Sequence, residues 1–328
     1  MADQQPLRAT FFTFRRRERG LLLPAAITFA VLMILSFIAL TVLVSLAMGV
    51  SPAAMFNPRE SQGVALEMAN APQRILNVLG IEFLFLVVFF ILCAAFEAGC
   101  LRWMIRGERG GLFGIALNAD TWRVYGTYWL WAIFAFIADL FIALIGVMLG
   151  FVANQIGAST PGFEWVWMLL VALIVLCLPV ILIVRTAPAA AVSVGTKRFA
   201  FFDSWKVTKG RFWAMFGSFL LLIILQIVLT LALWGAMFGT VFAGMLQAIV
   251  AGWSNPQQMS QGMEAAMANI YASPAVFALY VGLQIAGVVM GVIFHLLFFG
   301  VNARAVIAAA EDGKIQGLVT VETAKTFE

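Results

Sequence analysis

Charge is scarce in this sequence. Asp, Glu, Lys and Arg together make up only 11% of the 328 residues, against about 25% in a soluble domain. A water-soluble globule of ordinary make-up is thereby excluded. Histidine occurs once, at His295, so no multi-histidine metal centre can form. The three cysteines, Cys93, Cys100 and Cys177, all fall in or beside apolar runs, and no structural disulfide is expected. Cys93 and Cys100 share a helix face, and core packing explains them more simply than a metal or redox pair. No glycine-rich phosphate loop with its Lys and Ser/Thr is present, and the "GERGG" at 107–111 reads as a turn. Zinc signatures, a nucleophile elbow and a carboxylate pair are missing too. These absences argue against an ATPase, a kinase or a soluble hydrolase. They leave an expectation of no enzymatic activity, no cofactor and no metal.

What the chain has in quantity is apolar length. It is 63% hydrophobic, with mean hydropathy +1.00. Runs of about 18 or more apolar residues read as membrane helices, and six stand out, near 21–48, 75–100, 127–152, 165–185, 213–238 and 276–303. They are too long, and alternate too little, to be barrel strands. The first run follows Arg15, Arg16, Arg17 and Arg19, as in a signal peptide, but is far longer than the roughly 7–15 residues of a cleavable one. It is therefore expected to be retained. The fold expected is an all-α, polytopic membrane helix bundle, one integral membrane domain over 1–328.

The basic residues orient it. Of the 20 Lys and Arg, only Arg59 and Arg74 lie in 49–74, and none lies in 153–164 or 239–275. The remaining eighteen fall in the alternate segments. Basic loops stay in the cytoplasm, so the tails at 1–20 and 304–328 are both expected there. The net charge of +4 follows from this topology and does not point to nucleic acid.

A polar word recurs in the oily chain. "DTWRVYGTYW" (120–129) precedes the third run and "DSWKVTKGRFW" (203–213) precedes the fifth; "TFFTFRRRERG" (10–20), before the first, is a weaker echo. The reading is three repeated hairpins, 21–100, 127–185 and 213–303, each led by an interfacial amphipathic helix. Phe199, Phe202 and Trp205 recur every third residue along one helix side. Lys206 and Lys209 precede Gly210, as suits a helix C-terminus. Such a segment lies flat among headgroups, with Gly126 and Gly210 as hinges to the next helix. Either a structural elbow or a lipid or partner site fits. The candidate interfacial residues are Trp122, Arg123, Phe202, Trp205, Lys206, Lys209 and Arg211.

A second candidate set lies inside the membrane, where polar groups are a functional hint. Asp139 and Gln226 fall mid-helix in the third and fifth runs, and Gln284 and His295 fall in the sixth. They either line a path for a proton, ion or polar solute, or bond helices together. Glycine pairs at Gly146/Gly150, Gly235/Gly239 and Gly287/Gly291 would allow close helix approach, and Pro179 would kink its helix.

"FFDSWKVTKGRFW" (201–213), "RTAPAAAV" (185–192) and the N-in plan together resemble the membrane region found beside bacterial glycerophosphodiester phosphodiesterase domains. Stand-alone inner-membrane proteins look similar. The resemblance implies a bacterial inner-membrane location. It carries no phosphodiesterase activity, because the catalytic barrel is lacking, and no site residues. Two functions stay open. One is a non-enzymatic inner-membrane protein supporting envelope or lipid-related functions, with membrane lipids, anionic ones included, and a protein partner or second copy as its contacts. The other is a small-solute or ion transporter or channel using the midplane residues.

Overall fold

The computed structural model describes residues 22–51, 72–108, 110–111, 115–157, 177, 179–241 and 274–318. The third leading segment (10–20), most of the fourth run and most of the outer segments lie outside these. The regular elements described are all helices. They are α1 (Leu22–Met48), α2 (Pro72–Arg106), α3 (Ala119–Gly157), α4 (Pro179–Gly195, with a turn at residues 187–188), a 3-10 turn (Phe201–Asp203), α5 (Ser204–Thr208), α6 (Phe212–Val241) and α7 (Pro274–Glu311).

Five of these, α1, α2, α3, α6 and α7, are long and apolar enough to cross a membrane, with hydropathies of 2.1 to 2.8. Their most apolar stretches bury little surface inside the protein, from none in α3 to 22% in α7. In water so much exposed Leu, Ile, Val and Phe would be ruinous; in lipid it needs no other cover. The chain is thus a multi-pass helical membrane protein.

Several helices outrun the apolar stretches read from the sequence. The α2 span of 34 residues is about 51 Å long by helical rise, against a hydrocarbon core of about 30 Å. The surplus is packed. From Ala94 to Ile105, α2 is almost wholly buried, as are Val301, Ala303, Val306 and Ala309 near the end of α7. These helix ends belong to one compact unit with α3, α4, the 3-10 turn, α5 and the start of α6. Its core includes Trp103, Phe96, Val124, Val192, Val194, Phe201 and Val207.

The second unit comprises Ala26–Leu92 and Leu220–Leu296. Within it Phe37, Phe85 and Phe89 pack with ring centroids 5.7–6.1 Å apart. The α1 helix ends on Gly49, whose φ of +74° suits the left-handed position that closes many helices. The Arg74 guanidinium donates to the Met48 carbonyl at 3.1 Å, a cation where the helix dipole favours one. Of the expected glycine contacts, a Cβ at Gly146, Gly150, Gly235 or Gly291 would meet open space, while at Gly287 it would touch Leu233 at 3.4 Å; the surroundings of Gly239 lie outside what the structure describes.

The two polar words differ in structure. "DSWKV" is set off: α5 ends, Gly210 takes φ +82°, and α6 begins at Phe212. "DTWRV" is the start of α3 itself, which runs unbroken past Gly126. Gly126 is no hinge. It is small because Phe199 lies on it, and a Cβ there would come within 3.3 Å of the Phe199 ring. The expected separate interfacial helix before the third run is therefore replaced by an extension of α3, held by packing at the buried end.

Candidate functional site

The elbow, residues 199–210, sorts its side chains by periodicity. Phe201, Ser204, Val207 and Thr208 are buried, while Phe199, Phe202, Trp205, Lys206 and Lys209 are exposed. The Ser204 and Thr208 hydroxyls donate back to the Phe201 and Trp205 carbonyls, which satisfies them inside the packed face. The guanidinium of Arg185 lies 5.9 Å from the Trp205 ring centroid and 5.3 Å from that of Phe212, and donates to the Thr208 hydroxyl.

The acid of each word does the same job. Asp203 pairs with Lys206, three residues on, at 2.7 Å, and with Arg198 at 2.8 Å. Asp120 pairs with Arg123, three residues on, at 2.5 Å, and with Arg106 at 2.6 Å. The two differ in burial. Asp120 and Arg106 are buried, and Arg106 also donates to the Val194 carbonyl at 2.8 Å. This ties the end of α2 and the start of α3 to the last turn of α4. Near them the Tyr128 hydroxyl donates to the buried carboxylate of Glu97.

Several interfacial candidates are thus engaged within the chain. Arg123 is held by Asp120. Arg211 donates to Asp312 at 2.6 Å and to the Ala308 carbonyl at 3.0 Å. Trp122 is exposed and meets Tyr125 edge to face, 5.7 Å between centroids. Lys206 keeps an exposed ammonium beside Asp203, and Lys209 is exposed. Because one Asp203 carboxylate faces two cations, this corner keeps a net positive charge.

Beside the elbow runs a groove of about 290 Å³. One wall is α3, with Trp131, Phe134, Ala135, Ala138 and Asp139. A second is α4, with Pro179, Leu182, Ile183 and Thr186; Phe201, Phe202 and Trp205 close the third side. Phe134 stacks on Phe201 at 5.6 Å, 5° between planes, and meets Phe202 edge on at 6.3 Å. Asp139 from the midplane set and Phe202 and Trp205 from the interfacial set therefore line one groove, a juxtaposition that their spacing along the chain does not foretell. Asp139 is exposed to it. The other wall residues were readable as stripes: 131, 134, 135, 138 on α3 and 179, 182, 183, 186 on α4 follow helical spacing.

The rest of the midplane set belongs to the second unit. Gln226 is half-buried on α6, and Gln284 and His295 are exposed on α7. The His295 ring Nδ1 donates to the Gly291 carbonyl one turn back, at 2.7 Å. Cys93, Cys100 and Cys177 are free thiols. Among the described residues, no three His, Cys, Asp or Glu side chains are grouped as a metal site would require.

No protein-family model, curated protein or solved structure matches this chain.

Proposed function

We propose that this is a non-enzymatic protein of the bacterial inner membrane, with both termini in the cytoplasm, that supports envelope or lipid-related functions by contacting anionic headgroups through its elbow. In this reading residues 165–185 supply a sixth span, and the spans form three repeated hairpins. Kinship with the membrane region beside glycerophosphodiester phosphodiesterase domains belongs to the same proposal. The observation that carries it is the two-sided elbow. Its inner face is buried, while Phe202, Trp205, Lys206 and Lys209 are exposed, as is Trp213 at the start of α6. Aromatics with cations at a helix end are the pattern of a membrane–water interface.

The test is retention of lipid. The full chain, released from nanodiscs of mixed phosphatidylglycerol and phosphatidylcholine, is weighed intact by native mass spectrometry. Each lysine near an anionic leaflet contributes about 1 kcal/mol, roughly a fivefold change in affinity. Lys206→Gln with Lys209→Gln should therefore shed phosphatidylglycerol selectively. Equal retention of both lipids by the wild type would refute the reading.

One observation favours a second reading, transport of a solute. Asp139 is an acid within the apolar α3 span, and it opens on a groove.

A further inference from the structure

We infer that the groove at Asp139 binds an amphipathic organic cation: a positive charge carried on an apolar or aromatic body of modest size. The inference deepens the transport reading and rests on Asp139 acting within the membrane. It does not depend on the elbow's contact with anionic lipid.

Charge is unbalanced in the groove. The Asp139 carboxylate has no hydrogen-bond or ion-pair partner among the described residues. The eleven other described residues lining the groove include no Lys, Arg or His. Arg185, next in sequence to the lining Thr186, is spent on the Trp205 and Phe212 rings and on Thr208. The Thr186 hydroxyl donates to its own helix at Leu182, 2.7 Å away. Nothing described in the walls answers the carboxylate, and an isolated charge at membrane depth is costly unless a counter-charge joins it. The occupant that balances the site is a cation.

The walls describe its body. Five large aromatic side chains, Trp131, Phe134, Phe201, Phe202 and Trp205, share the groove with one acid among the described residues. Aromatic faces attract cations whose charge is weakly hydrated, which a bare metal ion or a proton carrier does not require. An inorganic cation would want several oxygen ligands, and the lining offers one carboxylate and one hydroxyl already in use. An anionic amphiphile would meet Asp139 with repulsion. The volume of about 290 Å³ sits at the small end of ligand pockets, which run from about 300 Å³ upward, so it suits a compact molecule and not a two-chain lipid.

The experiment uses two probes of nearly equal shape and opposite charge, tetraphenylphosphonium and tetraphenylborate. Binding of each to the purified full chain in detergent is measured by equilibrium dialysis. Saturable binding of one tetraphenylphosphonium per chain is expected, at least tenfold tighter than tetraphenylborate. Asp139→Asn should weaken it at least tenfold, and Asp139→Glu should restore most of it. Ala135→Trp, which fills the groove and leaves the acid, should abolish it, so the result does not hang on one variant's folding. Equal affinity for both ions, or phosphonium binding that survives both Asp139→Asn and Ala135→Trp, would overturn the inference and mark the groove as a general apolar seat for lipid. Absence of saturable phosphonium binding would also overturn it. Phosphatidylglycerol retention measured on the same variants should stay unchanged, which separates failure here from failure of the elbow reading.

Discussion

Asp120 grips the buried guanidinium of Arg106 at 2.6 Å across fourteen residues of chain. The pair joins the last turn of α2 to the first turn of α3, and Arg106 passes the grip on to the α4 backbone at Val194. Asp120→Ala strips this carboxylate from two cations, Arg106 and Arg123, but Arg106 keeps a second partner in Glu108 at 2.7 Å. The loss should therefore fall below the about 3–5 kcal/mol of a buried pair broken outright, while still lowering the thermal midpoint of the detergent-solubilised protein by several degrees. Asp203→Ala, in the matching but more exposed position, should lower it far less, since exposed pairs contribute about 0–1 kcal/mol. Equal effects would show that the two words are mechanically alike.

Tyr128 and Glu97 make a second, partly buried link between α2 and α3. Tyr128→Phe keeps the ring and removes the donor, leaving the carboxylate without that bond. A loss of about 1–3 kcal/mol is expected, read as a lower melting midpoint. Tyr128→Phe combined with Glu97→Leu should recover part of it, because two apolar partners leave nothing unsatisfied.

Gly210 and Gly126 test two different reasons for glycine. At Gly210 the backbone has φ +82°, which costs a side-chain-bearing residue about 1–2 kcal/mol. At Gly126 the backbone is helical and the obstacle is the Phe199 ring. Gly126→Ala combined with Phe199→Leu should be milder than Gly126→Ala alone, whereas no neighbouring change should relieve Gly210→Ala. Melting curves of the four proteins decide it.

The end of α7 carries a pH-dependent clasp. Asp312 has its carboxyl held below the usual carboxylate range, chiefly by the hydrogen bond from Lys314 and also by the Arg211 charge. A depressed folded-state pKa contributes stability that is complete above the unfolded value, about 3.9, and is lost as pH falls through the folded value. The wild type should melt above Asp312→Asn at pH 7, and the gap should close on acidification below about pH 4.

Much of this was legible in the chain itself. Apolar length marked five spans that the structure carries as long helices. What composition could not reveal was where those helices stop, because α2, α3 and α7 run on beyond the apolar stretch into a packed end whose Ala, Trp and Arg residues look unremarkable one by one. The two polar words were visible as words. That Asp120 would be buried and Asp203 only half-buried depended on what each met in space, the buried Arg106 in one case and the solvated Arg198 and Lys206 in the other. Gly126 read as a hinge because sequence cannot distinguish a glycine needed for its backbone from one needed for its missing Cβ. The groove joined Asp139 to Phe202 and Trp205, more than sixty residues away, and only tertiary packing brings them together.

If the elbow rests at the bilayer surface, its depth can be measured there directly. A nitroxide attached at Trp205→Cys, on a background with Cys93, Cys100 and Cys177 replaced, is compared with one at Lys314→Cys in the same nanodiscs. The relative accessibility to oxygen and to a water-soluble nickel chelate gives the depth. Position 205 should lie at the boundary of headgroups and acyl chains, and 314 nearer to water. Fully aqueous accessibility at 205, equal to that at 314, would contradict it.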